Sequence, residues 1–185
     1  ILKCIKNKKN IIVEKPMCLT LDQLRHIKKK ISKSSIKITS NLVLRVNDLF
    51  KNIKKQVERD NIYYIEADYI WGRKNKLFGW RSKIKDYSLI LGAGIHVIDL
   101  VMWLLKKRPR SVIAVANKIV TSKTVYKKNS MALIILEFPG NIIAKITANA
   151  AAIHEHFHEI KIFTSNKTIN NTLNGSFTFT KDTSK

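Results

Sequence analysis

Acidic residues are scarce in this chain: 13 Asp and Glu stand against 35 Lys and Arg in 185 residues, a formal net charge of +22. Cysteine is nearly absent too. Cys4 and Cys18 form neither a C-x-x-C pair nor a zinc-ligand spacing, which argues against a disulfide-stapled or zinc-built scaffold and points to a reduced, cytoplasmic protein. No apolar run is long enough to span a bilayer. The longest, around Leu89 to Leu105, contains His96 and Asp99, whereas a spanning helix needs roughly 20 apolar residues. A secretory signal, internal repeats and low-complexity linkers are likewise missing. With 45% hydrophobic residues, what remains is a globular protein with one good core, or one domain and part of another. The chain opens on Ile rather than Met and closes on the polar stretch Lys181 to Lys185, so a fragment is expected.

A surplus of basic residues commonly signals nucleic acid or an anionic membrane. Here the lysines are spread through the whole chain and mixed with many Ile and Asn, as drift in composition would leave them. That argues against a nucleic-acid-binding module, with steering of an anionic small substrate as a further reading.

Periodicity sets out the elements. Ile1 to Lys9 read as the end of a basic helix, and Asn10 to Glu14 as a short strand. Thr20-Leu21-Asp22-Gln23 is a capping box opening a helix over residues 21–33, with Leu21, Leu24, Ile27 and Ile31 on a buried face. Ile36 to Leu44 is strand-like, and Asn47 to Arg59 is helical through Leu49, Ile53 and Val57. Then the pattern changes. A strand over Ile62 to Trp71 leads to a basic, aromatic loop, and a buried helix over Leu89 to Leu105, with Leu100, Trp103 and Leu104 in the core, cannot continue past Pro109. Strands follow at Ser111 to Val120, Met131 to Phe138, Ile142 to Asn149, Phe157 to Thr164 and Ser176 to Thr180. Pro139-Gly140-Asn141 suits an antiparallel hairpin. Alternating helices and strands predict a parallel α/β layer, and the later strands predict an α+β unit with a mainly antiparallel open sheet, with a boundary near Arg45.

Two places interrupt apolar stretches with titratable groups. In Ile11-Ile12-Val13-Glu14-Lys15-Pro16 a buried strand stops at a lysine, where open sheets bind ligands outside the carboxyl ends of their strands. In Gly94-Ile95-His96-Val97-Ile98-Asp99 a histidine and an aspartate open a buried helix, three residues apart and so on one face. His154, His156 and His158 alternate along a strand but lack cysteine support, and solvated histidines are expected there rather than a metal site. Each candidate has a plain structural alternative: Lys15 as a loop lysine, His96 as a core histidine, Asp99 as a helix-dipole partner, Trp80 as a loop anchor.

Taken together, Glu14-Lys15-Pro16 with Leu19-Thr20, Arg45 after a strand, Gly79-Trp80-Arg81 and Gly94-x-His96-x-x-Asp99 make the chain resemble the glucose–fructose oxidoreductase/inositol dehydrogenase/MocA family of NAD(P)-dependent oxidoreductases. The resemblance implies that residues 1–44 are the C-terminal remnant of a Rossmann dinucleotide-binding domain and residues 45–185 a substrate-binding and oligomerisation domain. It implies NAD or NADP as cofactor, a sugar, nucleotide-sugar or polyol as substrate, and a homo-oligomer formed through the C-terminal sheet. By the same resemblance His96 is the acid/base and Lys15 orients the substrate; Glu14, Lys15, Pro16, Arg45, Trp80 and Arg81 touch the cofactor, and Asp99 joins Lys15 and His96 at the substrate. Two departures stand out. The family's Gly-rich phosphate turn is absent, since Gly92-Ala93-Gly94 has Val97 where a third Gly or Ala is needed and no strand before it. Many relatives also carry an aspartate four residues before the motif histidine, and here that position is Gly92. The competing expectation is a degenerate, non-catalytic member that binds sugar or supports assembly.

Overall fold

The computed structural model describes residues 1–180, so the polar stretch Lys181 to Lys185 lies outside the described residues. A short helix α1 (Leu2–Lys6) precedes strand β1 (Ile11–Val13), helix α2 (Leu21–Ile31) and strand β2 (Ile38–Ser40), and β1 and β2 pair in parallel. Thr20 caps α2, its hydroxyl accepting from the Gln23 N–H at 3.2 Å, while the Gln23 side chain accepts from the Leu19 N–H at 2.9 Å. One expectation fails here. Only Ile27 of α2 is buried, and Leu21 and Leu24 are exposed, because a two-stranded sheet offers too little apolar surface to cover the whole stripe.

A 3-10 turn (Val43–Val46) shortens the strand expected up to Leu44 and leads into α3 (Asp48–Val57), which Asn47 caps through the Leu49 N–H. Phe50, Ile53 and Val57 bury one stripe of α3; Leu49, expected on that stripe, is exposed, and Phe50 takes its place. Beyond it lie β3 (Ile62–Ile70), the one-turn helix α4 (Trp80–Lys83), α5 (Ile95–Leu105), and strands β4 (Ser111–Asn117), β5 (Met131–Phe138), β6 (Ile142–Asn149), β7 (Phe157–Thr164), β8 (Lys167–Thr172) and β9 (Gly175–Thr180).

The last seven strands make one sheet, in the order β4-β5-β6-β3-β7-β8-β9, antiparallel except where β3 runs parallel to β6. Alternation decides its faces. Ile65, Ala67 and Tyr69 of β3, Ala144, Ile146 and Ala148 of β6, and Ile160 and Ile162 of β7 point to the helical side, where Val97, Leu100, Val101 and Leu104 of α5 complete the core. Each such large side chain contributes roughly 1.5–3 kcal/mol by leaving water. The alanines on β6 let the helix come close: a Cβ on Gly94 would sit 3.3 Å from that of Ala148. Lys106, in the left-handed region at φ 53°, ends α5. Trp103, expected in the core, sits at its margin under the Lys54 ammonium, 3.7 Å from the ring centre. The three-residue turn Pro139-Gly140-Asn141 joins β5 to β6 with positive φ at Gly140 (86°) and Asn141 (58°), backbone that Gly and Asn adopt more readily than other residues. Strand β8, KTINNT, is absent from the periodic reading because its polar residues resemble a loop; pairing with β7 and β9 makes it a strand.

Candidate active site at the start of helix α5

Lys15 stands just past β1, before Pro16, and its ammonium donates to the carbonyl of Gly92, so the end of the small sheet is tied to the segment that opens α5. Burial pushes the Lys15 amine below its ordinary value, the nearby Arg81 guanidinium pushes it further, and Glu14 opposes both. Glu14 accepts from the Asn41 side chain at 2.7 Å, which joins the ends of β1 and β2. Residues Ile90–Gly94 form a π-helical turn ahead of α5, replacing the α-helix expected from Leu89. Pro16, Leu19, Leu42, Leu91 and Ile95 line an apolar groove of about 400 Å³ beside this junction.

His96 follows directly and is buried, 7% exposed, with no hydrogen bond to either ring nitrogen among the described residues. Burial is the main cause that lowers its pKa to about 4, and the Lys15 charge adds to it. Its ring stacks parallel to Tyr69 at 5.9 Å and lies edge-on to His158 at 6.1 Å. Tyr69 and His158 are cross-strand partners on β3 and β7, and His156 completes the group 4.9 Å from His158 while bonding the Ile70 carbonyl at 3.3 Å. Desolvation lowers His158 to about 3 and raises Tyr69 to about 12. His96, His156, His158 and Tyr69 therefore form one cluster of ring contacts within reach of the Lys15 charge.

Of the other candidates, Arg45 and Asp99 meet each other: Nε donates to Oδ2 at 2.7 Å and Nη2 to Oδ1 at 2.5 Å, across the gap between the turn after β2 and α5. That bond raises the Arg45 pKa further. The pair ties the turn after β2 to α5. Trp80 is exposed, and the Arg81 guanidinium lies 4.3 Å from its ring centre and 5.3 Å from that of Trp71. Arg81 Nε also donates to the Tyr87 hydroxyl at 3.2 Å.

The alternating histidines are not a solvated stripe. His156 and His158 turn into the site with Tyr69, whereas His154 is exposed and bonds the Glu155 carbonyl. Tyr69 lay outside the candidates drawn from the sequence. The one available signal was that Tyr69 falls on the buried alternation of β3; its register against His158 is invisible without the sheet. Among the described residues no group of three or more His, Cys, Asp or Glu could hold a metal ion, and no helix is long and apolar enough to cross a membrane.

A nicotinamide ring fits this junction in chemical terms, with a lysine, an exposed indole and a stacked guanidinium at one edge. The phosphate end of a dinucleotide has no Gly-rich turn to meet it within these residues.

Comparison with known proteins agrees with this architecture. Residues 52–170 match the model of the GFO/IDH/MocA C-terminal domain. The structure is similar to myo-inositol 2-dehydrogenase from Lactobacillus plantarum (TM-score 0.80, 16% identity, 94% of this chain and 57% of that one). It is similar to UDP-N-acetylglucosamine 3-dehydrogenase from Acidithiobacillus ferrooxidans (0.78, 19%, 100% and 59%). A third match is scyllo-inositol dehydrogenase from Lactobacillus casei with bound NAD(H) and scyllo-inositol (0.75, 17%, 93% and 56%). The chain spans little more than half the length of these structures, and at such identities the likeness shows the shared fold. A search of curated proteins finds no match.

Proposed function

The chain belongs to the GFO/IDH/MocA family, and from that premise we propose that it is part of an oxidoreductase moving a hydride between NAD or NADP and a hydroxyl or ketone carbon of a sugar, nucleotide-sugar or polyol. The observation that carries this reading is the meeting of the Lys15 ammonium with the segment opening α5, beside the unengaged imidazole of His96. When bound, the nicotinamide ring supplies the hydride acceptor or donor. His96, uncharged at neutral pH, takes the proton from the substrate hydroxyl during oxidation, and Lys15 stabilises the negative charge that develops on that oxygen. The burial that lowers both groups makes their charged forms costly, so proton movement between substrate and His96 answers to the field of Lys15.

Trp80 and Arg81 present a flat aromatic and a cation to the cofactor, with Glu14 and Pro16 shaping its edge. Arg45 at the cofactor and Asp99 at the substrate complete the site, their mutual ion pair also fixing α5. Self-association through the large sheet completes the reading. Its helix-free face carries the exposed side chains of Ile113 and Val115 near one edge and Phe177 and Phe179 near the other, with Lys145 between Glu66 and Asp68 at the centre, both signs of charge in one patch that a second copy can match. Sedimentation should show a dimer that Phe177→Asp dissociates.

The test of the catalytic reading is made on the full protein: His96→Ala should abolish turnover while NAD(P)H still binds, as read by quenching of its fluorescence. Turnover that survives removes His96 as the proton acceptor, and absence of NAD(P)H binding removes the oxidoreductase reading altogether.

A further inference from the structure

We propose that Lys128 is a positioning residue for the cofactor side of the site: its ammonium clasps the main chain between α4 and α5 and so fixes Tyr87 and, through Tyr87, Arg81. The inference rests on the oxidoreductase reading above and deepens it. Lys128 lies on the connection between β4 and β5, where no motif marks it. Its Nζ donates to the carbonyls of Ile84 at 2.5 Å, Lys85 at 2.9 Å and Tyr87 at 3.2 Å. An ammonium has three N–H donors, and here all three are spent on one turn of main chain. Each bond joins a cation to a carbonyl dipole and is stronger than a neutral pair would be.

The base of the clasp is itself anchored. The buried Thr121 hydroxyl donates to the Lys128 carbonyl at 2.5 Å, and Ser130, also buried, donates its N–H to the Asn117 carbonyl at 3.0 Å and accepts from the Ala150 N–H at 2.9 Å. At the other end, residues 84–88 lie outside any helix or strand and connect α4, which carries Trp80 and Arg81, to the π-helical turn before α5. Tyr87 passes the constraint on. Its hydroxyl accepts from Arg81 Nε at 3.2 Å, its ring meets Trp80 edge-on at 5.8 Å, and it occupies the space that a Cβ on Gly92 would need. The other bond of the Arg81 side chain, to the Lys76 carbonyl, reaches back to the turn before α4, so Tyr87 is what ties the guanidinium toward α5. A shift of the clasped turn therefore moves the two side chains that the reading above gives to the cofactor.

The test is made on the full protein, with NAD(P)H binding read by quenching of its fluorescence. Lys128→Ala should weaken that binding by about tenfold and raise the cofactor KM to match, while kcat at saturating cofactor stays within about threefold, since Lys15 and His96 keep their own contacts. Propylammonium, equal to the deleted stem and head, should restore most of the affinity, entering beside the cavity of about 130 Å³ that Tyr87, Ser88, Tyr126 and Lys128 line. Tetramethylammonium, with the same charge and no N–H donor, should not. Lys107→Ala, which breaks a single contact with the Pro139 carbonyl at the opposite end of β5, should leave cofactor binding unchanged. A Lys128→Ala protein that melts lower yet binds NAD(P)H like the parent has lost a merely structural lysine and overturns the proposal, as does equal rescue by the two ammonium ions. Where Lys128→Ala does not fold, Lys128→Met keeps the stem and removes the donors, and parent-like NAD(P)H affinity in it overturns the proposal equally. These outcomes leave the oxidoreductase reading intact, whereas a parent protein that binds no NAD(P)H ends both.

Discussion

Lowering the pH from 7.5 to 5 should weaken the fold by an amount traceable to His96. Unfolded, its imidazole titrates near 6.5; folded, burial and the Lys15 charge hold it at about 4. The unfolded chain therefore binds the proton first. The stability tied to this group is fully present above 6.5 and is lost as the pH falls toward 4, below which it changes no further. At pH 5 the unfolded state is about 97% protonated at this site and the folded state about 10%, which corresponds to a loss of about 2 kcal/mol. His158, held at about 3, adds a loss of the same sign that continues to lower pH. Urea unfolding followed by tryptophan fluorescence at pH 7.5, 6 and 5 gives the measurement, with His96→Gln as reference. Repulsion among the many lysines is common to both proteins and cancels in their difference. The parent should lose about 2 kcal/mol more than the variant, a midpoint shift of roughly 1 M urea. Parallel losses, or an NMR titration of the His96 ring centred near 6.5, would refute the reasoning.

Other expectations follow from the same packing. Arg45→Ala strips the largely buried Asp99 carboxylate of its fork and should destabilise by about 2 kcal/mol in thermal unfolding, with Asp99→Asn in the same chain recovering part of it. Thr20→Ala removes the α2 cap and should cost about 1 kcal/mol, measurable as faster hydrogen exchange in the first turn of that helix. Phe50→Ala empties a fully buried site and should cost about 3–5 kcal/mol in denaturant. In the full enzyme, the acid limb of kcat/KM for oxidation should lie near pH 4, well below the ordinary histidine range, because His96 must be unprotonated to accept a proton.

Much of the large sheet was legible. Clean alternation with abrupt turn chemistry marks Met131 to Phe138, Ile142 to Asn149 and Phe157 to Thr164, and their ends coincide with the observed strands. Strand β8 was not, because Asn170 and Asn171 carry no apolar alternation and become a strand only through neighbours on both sides. The stripe of α2 reads as buried from spacing alone, yet spacing says nothing of how much sheet lies beneath it. At the site, Lys15 and His96 stood out because each interrupts an apolar run. Tyr69 did not: an aromatic in an apolar stretch looks like core, and its place beside His96 and His158 depends on sheet register. The same holds for Arg45 and Asp99, two polar residues whose distance in sequence hides that they answer each other.

β3 occupies the middle of the large sheet, yet its two neighbours, β6 and β7, are encoded far downstream of it. During synthesis this strand leaves the ribosome with both edges bare and an apolar face of Ile65, Ala67 and Tyr69 waiting for partners not yet made. Helix α3, already made, and helix α5, translated before β6 and β7, both contribute apolar side chains to the core that covers that face. Assembly of the protein must therefore be governed by late, long-range closure, slow for its size and sensitive to any delay before residue 164 has emerged.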